Sequence, residues 1–173
     1  MAKMSGQQAV VEALKAEQVK LIFGMPGSHS CEVLYDTLYD TPEIQTVLVR
    51  HEQSGVFMAM AYARLTNEPG ICSGTAGPGA LNMVSGISEA YSGCTPVIAV
   101  CPTVDTRIKG KGALQEAPQV DVFSSITKWS VHVSRADEIP WIMRRAFSTA
   151  VNGKPGPVFI EIPVDIGLSL IHI

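Results

Sequence analysis

Charged residues are scarce in this sequence, and neither sign is in large excess. They make up 17% of the 173 residues, with 13 Lys and Arg against 16 Asp and Glu, which gives a formal charge of -3. A protein that binds a polyanion carries a basic excess, so we do not expect nucleic acid as a partner. Because 46% of the residues are hydrophobic and few are charged, a monomer would expose a large apolar surface. We therefore expect an oligomer, in which other subunits bury that surface.

Several motifs are missing as well. The four cysteines include no C-x-x-C pair and the four histidines no H-x-x-x-H or H-E-x-x-H pair, so we expect reduced thiols and no metal site. No apolar run approaches the ~20 residues of a membrane span, and no signal core or Arg-rich leader is visible, so we expect a cytoplasmic protein without membrane contact. Neither a P-loop nor a G-x-G-x-x-G motif follows the first predicted strand, which excludes the two common phosphate-binding loops.

Short apolar runs alternate with helical patterns, which is typical of a parallel sheet covered by helices. We therefore predict a single, doubly wound α/β domain with a six-stranded parallel sheet and helices on both faces. The predicted strands are 20–23, 46–49, 70–73, 96–101, 128–133 and 158–162. The first predicted helix begins at a capping box formed by Ser5 and Gln8, and the main later helices are 32–39, 52–66, 81–91 and 137–151.

The domain is predicted to cover residues 1–167. Residues 168–173 follow the sixth strand without a cap, a linker or helical periodicity, so we predict an unstructured or artefactual tail there. A truncated reading frame or an adapter-derived read-through produces such an ending, and on that interpretation the natural protein continues.

Polar or Gly-rich segments follow the first three predicted strands, at residues 24–27, 50–53 and 74–82. The carboxyl ends of parallel strands meet at one edge of the sheet, where open α/β sheets bind ligands. Glu52 is the most informative residue of this group, because it stands at the start of an apolar helix, where the helix dipole stabilises its charge. By itself, such an acid most often serves only the helix.

Six separated motifs together resemble the N-terminal pyrimidine-binding domain of thiamine-diphosphate-dependent enzymes, most closely the acetolactate synthase-like branch. They are GMPG (24–27), VRHEQ (49–53), TAGPGALN (75–82), LQE (114–116), TKW (127–129) and GKPGPV (153–158), in the family's order and spacing over residues 5–167. The resemblance implies that Glu52 contacts the cofactor's aminopyrimidine ring and that Gln115 lies beside the substrate. The other cofactor-binding residues that it implies are Pro26, Gly27, Thr75, Pro78 and Asn82.

An acid at position 52 has a defined role in the chemistry that this resemblance implies. Thiamine diphosphate reacts through the carbanion at C2 of its thiazolium ring, and the base that removes the C2 proton is the cofactor's own 4'-imino group. A glutamate that shares a proton with ring nitrogen N1' favours that tautomer. The implied reaction decarboxylates a small 2-oxo acid and joins the bound acyl group to a second carbonyl.

The resemblance also implies that this chain holds half of a site. The family binds the diphosphate through Mg2+ on a separate domain with a G-D-G motif, and no G-D-G occurs among the 173 residues. We therefore expect Mg2+, and FAD where it is used, on domains outside this sequence. The expected partners are a diphosphate-binding domain or subunit, within a homodimer or tetramer, and the chain alone is expected to be inactive.

Two departures from the family pattern leave other functions open. Met25 and Leu114 stand where acetolactate synthases usually carry a tyrosine and an aromatic residue, so the substrate is undetermined. The alternatives are a 2-hydroxyacyl-CoA lyase or oxalyl-CoA decarboxylase relative, a decarboxylase without carboligation, the short subunit of a sulfopyruvate decarboxylase-type enzyme, and a non-catalytic binding domain. Glu52 argues against the last, because a purely structural domain does not need a partly desolvated acid at this turn.

Overall fold

The structure, a computed structural model, describes residues 3–172. Its strands are β1 (Lys3–Ser5), β2 (Leu21–Gly24), β3 (Gln45–Leu48), β4 (Gly70–Ser73), β5 (Val97–Thr103), β6 (Trp129–His132), β7 (Val158–Pro163) and β8 (Leu170–His172). Its helices are α1 (Gly6–Ala16), α2 (Ser28–Ser30), α3 (Asp36–Tyr39), α4 (Glu52–Thr66), α5 (Pro78–Leu81), α6 (Val84–Ser92), α7 (Gln119–Ser124), α8 (Ile139–Val151) and α9 (Val164–Leu168). A π-helical segment, Cys31–Tyr35, joins α2 to α3, and a 3-10 turn, Ala136–Glu138, precedes α8.

Six strands form one sheet in the order β3-β2-β4-β5-β7-β6, and every neighbouring pair is parallel. The predicted six-stranded parallel α/β fold is thereby confirmed. From β2 the chain passes to the edge strand β3 and then crosses back to β4 on the other side of β2. This reversal between β2 and β4 opens a crevice at their carboxyl ends, which is where α/β sheets bind ligands.

Alternate residues of the central strands pack into two separate hydrophobic clusters. Ile22 and Ile71 belong to the cluster that includes α1 and α8, whereas Phe23 and Cys72 belong to the cluster that includes α4 and α6. Successive side chains of a strand point to opposite faces of the sheet. The two clusters therefore cover the two faces, and α4, which begins with Glu52, lies on the second.

Most predicted elements agree with the observed ones to within one or two residues. The capping box of Ser5 and Gln8 is confirmed, as are the bounds of α4 and β4. Two helices differ from prediction: the one after residue 79 is interrupted at Asn82 and Met83, and the one predicted over 32–39 is the end of a helical segment that begins at Ser28.

The prediction of an unstructured tail is wrong for the part of it that the structure describes. Leu168 ends α9, and Leu170–His172 form β8, which pairs antiparallel with β1. The partner strand supplies the backbone hydrogen bonds, and Ile171 is buried in the first hydrophobic cluster. Ile173 lies outside the described residues, and an artefactual origin of the tail stays a prediction.

All four cysteines are free thiols. Burial raises the pKa of the Cys72 and Cys101 thiols, to about 12 for Cys101, so both stay protonated and unreactive at neutral pH. Among residues 3–171, no group of three His, Cys, Asp or Glu is arranged to hold a metal ion. Across the same residues, no helix combines the length and apolar character needed to cross a membrane.

Candidate active site

The loops after β2 and β4 touch each other at the crevice between these strands. The Thr75 hydroxyl donates a hydrogen bond to the Gly27 carbonyl at 3.4 Å. A β-carbon at Gly27 would lie 3.4 Å from the Thr75 Cβ, which is ordinary contact. Two of the predicted cofactor-binding residues are therefore neighbours in space.

Glu52 is the first residue of α4 and is only 2% exposed. Its side chain lies in a cradle of backbone formed by the loop after β4. A β-carbon at Gly74 would lie 2.9 Å from the Glu52 Cγ, and one at Gly79 would lie 2.9 Å from Oε1. Glycine at both positions leaves the space that the carboxyl group occupies.

The two carboxyl oxygens of Glu52 have different surroundings. Asn82 Nδ2 donates a hydrogen bond to Oε2 at 2.9 Å, whereas Oε1 accepts no hydrogen bond from any residue that the structure describes. Within the same part of the chain, no ion pair includes Glu52. Oε1 is not among the buried side-chain atoms that lack a hydrogen-bond partner, so this oxygen is open to the crevice, where it can accept a hydrogen bond from a ligand.

Gln115 packs against the turn that follows Thr75. Gly77, at the start of α5, has a φ of +59°, and a β-carbon there would lie 2.1 Å from the Gln115 carbonyl oxygen. The Gln115 side-chain Oε1 lies 3.0 Å from His29 Nδ1, and the neighbouring Leu114 is 84% exposed. The structure thus holds Gln115 between the loops after β2 and β4.

The remaining predicted residues lie on the same loops but at the surface. Pro26 is exposed and lines a groove of about 670 Å³ together with Tyr39 and Ile44. Pro78 is exposed at the start of α5, where its fixed φ suits the first position of a helix. Both prolines shape the loops, while the hydrogen bond between Asn82 and Glu52 joins the segment after β4 to the start of α4.

Sequence reasoning missed a buried polar network behind the Gly77 turn. The Gly77 N–H donates to Gln119 Oε1 at 2.5 Å, and Gln119 Nε2 donates to Glu161 Oε2 at 2.9 Å. His132 Nδ1 lies 2.7 Å from the other oxygen of Glu161. One signal was present in the sequence, because Glu161 is the single charged residue in the apolar run 158–162, and a charge in a buried strand needs partners. No pattern singled out Gln119.

Replacing Asn82 with alanine should lower the free energy of unfolding by about 0.5–1.5 kcal/mol, because the hydrogen bond to Glu52 is lost. Asn82→Asp should be more destabilising at neutral pH, since it places a second carboxylate against the first. Urea denaturation of the chain measures both. Asn152→Ala is the matched control, because the Asn152 amide donates only to the exposed Ser148 hydroxyl. A loss for Asn82→Ala no larger than that of the control would contradict the contact.

A family model matches this chain at the same region. It is described as the N-terminal TPP binding domain of thiamine pyrophosphate enzymes, and the match covers residues 4–124. The matched segment includes Glu52, Asn82 and Gln115, as well as the whole of α7.

Acetolactate synthases from three kinds of organism are similar to the chain. It is 43% identical over 163 residues to the probable acetolactate synthase large subunit of Methanocaldococcus jannaschii, which covers 94% of the chain and 27% of the relative. It is 44% identical over 165 residues to the chloroplastic acetolactate synthase of Arabidopsis thaliana (95% and 24%). It is 41% identical over 166 residues to the acetolactate synthase isozyme 2 large subunit of Escherichia coli K12 (96% and 30%). The chain thus spans between 24% and 30% of the length of these relatives.

Proposed function

This chain belongs to the thiamine pyrophosphate enzyme family as an N-terminal TPP binding domain, and on that premise we propose that it forms the pyrimidine-binding half of an acetolactate synthase-like active site. The complete enzyme decarboxylates a small 2-oxo acid and transfers the acyl group to a second carbonyl compound. The observation that carries the proposal is the Glu52 carboxyl group, which is buried at the β2–β4 crevice with Oε1 free of protein partners.

The residues around Glu52 fit the edge of an aminopyrimidine ring. Gly74 and Gly79 leave room beside the Glu52 side chain, because a β-carbon at Gly74 would lie 2.9 Å from Cγ and one at Gly79 would lie 2.9 Å from Oε1. A ring nitrogen supplies the hydrogen-bonding partner that Oε1 lacks. When bound, thiamine pyrophosphate supplies a nucleophilic thiazolium C2 and an electron sink for the decarboxylation.

Each residue of the chain has a separate task in this proposal. Glu52 holds a proton at Oε1, where it can be shared with the ring nitrogen. Asn82 holds Oε2 and thereby fixes the orientation of the carboxyl plane. Burial of Glu52 keeps water away from the shared proton. Gln115, held beside His29, supplies an amide on the side of the crevice where we place the 2-oxo acid.

The rest of the cofactor is proposed to lie on other parts of the complete enzyme. The relatives extend well beyond the matched region, which leaves room for a domain that binds the diphosphate through Mg2+ and for one that binds FAD. A homodimer or tetramer is supported by apolar side chains that remain exposed on α4 and α6: Phe57 at 43%, Leu65 at 85% and Tyr91 at 42%. The four free thiols support a reducing compartment such as the cytoplasm.

Acetolactate synthase-like activity is favoured over the CoA-dependent and sulfopyruvate alternatives. The similar proteins described above, from an archaeon, a plant and a bacterium, share acetolactate synthase as their printed function. The burial of Glu52 also disfavours a non-catalytic binding domain, because a purely structural domain does not need a desolvated acid at this turn.

The chain by itself should show negligible turnover of pyruvate with thiamine pyrophosphate and Mg2+, because the diphosphate site is proposed to lie elsewhere. A chimeric enzyme, in which this chain replaces the corresponding N-terminal domain of a similar large subunit, should release CO2 and form acetolactate. The chain alone and the chimeric enzyme are both assayed by pyruvate consumption and by analysis of the products. Robust activity of the chain alone would contradict the half-site proposal, and a folded, cofactor-loaded chimera without activity would contradict the proposed reaction.

A further inference from the structure

Gln119 is a buried residue with every polar atom of its side chain engaged. It begins α7 and is 1% exposed. Its Oε1 accepts the hydrogen bond from the Gly77 N–H, and its Nε2 donates to the Pro102 carbonyl at 3.0 Å and to Glu161 Oε2 at 2.9 Å. A flipped amide would face two acceptors with its oxygen and a donor with its NH2 group. The surroundings therefore permit one orientation of the amide.

Glu161 accepts a hydrogen bond from the Gln119 side chain and holds it in place. It lies in β7, 2% exposed, and its Oε1 is 2.7 Å from His132 Nδ1 and 3.7 Å from Lys109 Nζ. A carboxylate only accepts hydrogen bonds, so His132 Nδ1 carries the hydrogen in this contact. Since Gln119 donates to the second oxygen, both oxygens of Glu161 have hydrogen-bonding partners, and hydrogen bonds to a charged group are the stronger kind.

The Gly77 N–H that donates to Gln119 belongs to the turn that faces Glu52. Gly77 has backbone angles of φ +59° and ψ -108°, and its carbonyl accepts a hydrogen bond from the Leu81 N–H at 2.9 Å. The same short turn carries Gly79, which lies against Glu52 Oε1, and Asn82, which donates to Oε2. A displacement of Gly77 therefore displaces both groups that contact the Glu52 carboxyl.

We propose that Gln119, held in place by Glu161, positions residues 77–82 against Glu52. Gln119 is then a positioning residue for the proton that Glu52 shares with the cofactor, and it acts through the Gly77 N–H rather than by touching the cofactor. The inference rests on the proposed function of Glu52. It adds a supporting role for the buried carboxylate of Glu161 on β7, which is separated from β4 at the crevice by β5.

The main test replaces Gln119 with methionine, which has a similar length and removes all three hydrogen bonds. In the cofactor-loaded chimera, Gln119→Met should slow hydrogen–deuterium exchange at C2 of the cofactor by a factor on the order of 10 to 10², the scale of a small misplacement at a reacting group. Cofactor affinity should change by less than roughly threefold, because Gln119 does not touch the cofactor. Ile139→Val, a buried substitution on the opposite face of the sheet, is the control and should leave C2 exchange unchanged.

A reversed pair tests the direction of the hydrogen bond. Gln119→Glu places two carboxylates against each other and should slow C2 exchange at least as much as Gln119→Met. Adding Glu161→Gln restores a donor between the two positions and leaves the carboxylate at position 119 to accept from the Gly77 N–H. The double variant should therefore recover part of the lost rate, because the Pro102 carbonyl still faces a carboxylate oxygen at position 119. If Gln119→Met does not fold, the comparison of Gln119→Glu with the double variant tests the proposal in its place.

A readout without cofactor separates the two proposals. In the 173-residue chain, amide hydrogen exchange at Gly77 should accelerate about tenfold or more in Gln119→Met, while amides of α1 and α8 keep their protection. If Glu52→Gln leaves C2 exchange unchanged, the proposed function of Glu52 falls and the positioning role falls with it. If Glu52→Gln slows C2 exchange while Gln119→Met changes neither C2 exchange nor Gly77 protection, only the positioning role is overturned.

Discussion

Glu52→Gln in the chimeric enzyme should slow deprotonation at C2 of the bound cofactor by a factor on the order of 10² to 10⁴, the usual contribution of a positioned acid or base. Glutamine keeps the size of the side chain and a hydrogen bond, but it has no carboxyl proton to share with the ring nitrogen. The cofactor's affinity should fall much less, because its diphosphate contacts are proposed to lie on another domain. The measurement is hydrogen–deuterium exchange at C2, followed by NMR after acid quench.

The matched control for this substitution is Glu12→Gln. Glu12 is an exposed acid on α1 that contacts Lys15 at 3.1 Å, so the same acid-to-amide change there should leave C2 exchange at the wild-type rate. Equal exchange rates in wild type and Glu52→Gln would remove Glu52 from the reaction. It would then be an ordinary acid at the start of a helix, stabilised there by the helix dipole.

Gly77→Ala should be the most destabilising single change among those considered, lowering the free energy of unfolding by about 3–5 kcal/mol. Two effects add at this position. A φ of +59° with a ψ of -108° is poorly accessible to alanine, and the new β-carbon would lie 2.1 Å from the backbone oxygen of Gln115, which cannot rotate away. The thermal midpoint of the chain should fall by roughly 10 °C or more.

Gly153→Ala is the control variant for the loss of space at Gly77. Gly153 also has a positive φ, +66°, but a β-carbon there would meet nothing within 4 Å. Only the conformational cost applies, about 1 kcal/mol. The difference between the two variants in urea denaturation therefore measures the contact between the turn and Gln115 together with the extra conformational cost of the ψ of -108° at Gly77. Equal losses of stability would show that this contact is absent in solution.

Local sequence patterns predicted the elements that flank the site. α4 has the predicted bounds because its signal lies within the segment itself, a helix rich in small and apolar residues with Glu52 at its start. The bounds of β4 also agree with the prediction. The alternation of strands and helices determined the parallel sheet, and a parallel sheet brings the carboxyl ends of β2 and β4 to one edge. The position of Glu52 beside residues 74–82 was predictable on these grounds, and the six motifs identified the family.

Only the tertiary structure decided which distant segments meet. β1 and β8 are three residues each and lie at opposite ends of the described chain, so neither carries a periodic signal. Their pairing depends on where α1 begins and where α9 ends. Gln119 and Glu161 are 42 residues apart in the sequence. Gly77, whose N–H donates to Gln119, precedes Gln119 by 42 residues. Hydrophobic periodicity records which face of an element is buried, but a hydrogen bond between two loops depends on the path of the chain across the sheet. The polar network that supports the candidate site could for this reason not be predicted from the sequence, because it joins β7, α7 and the Gly77 turn, which only the tertiary structure brings together.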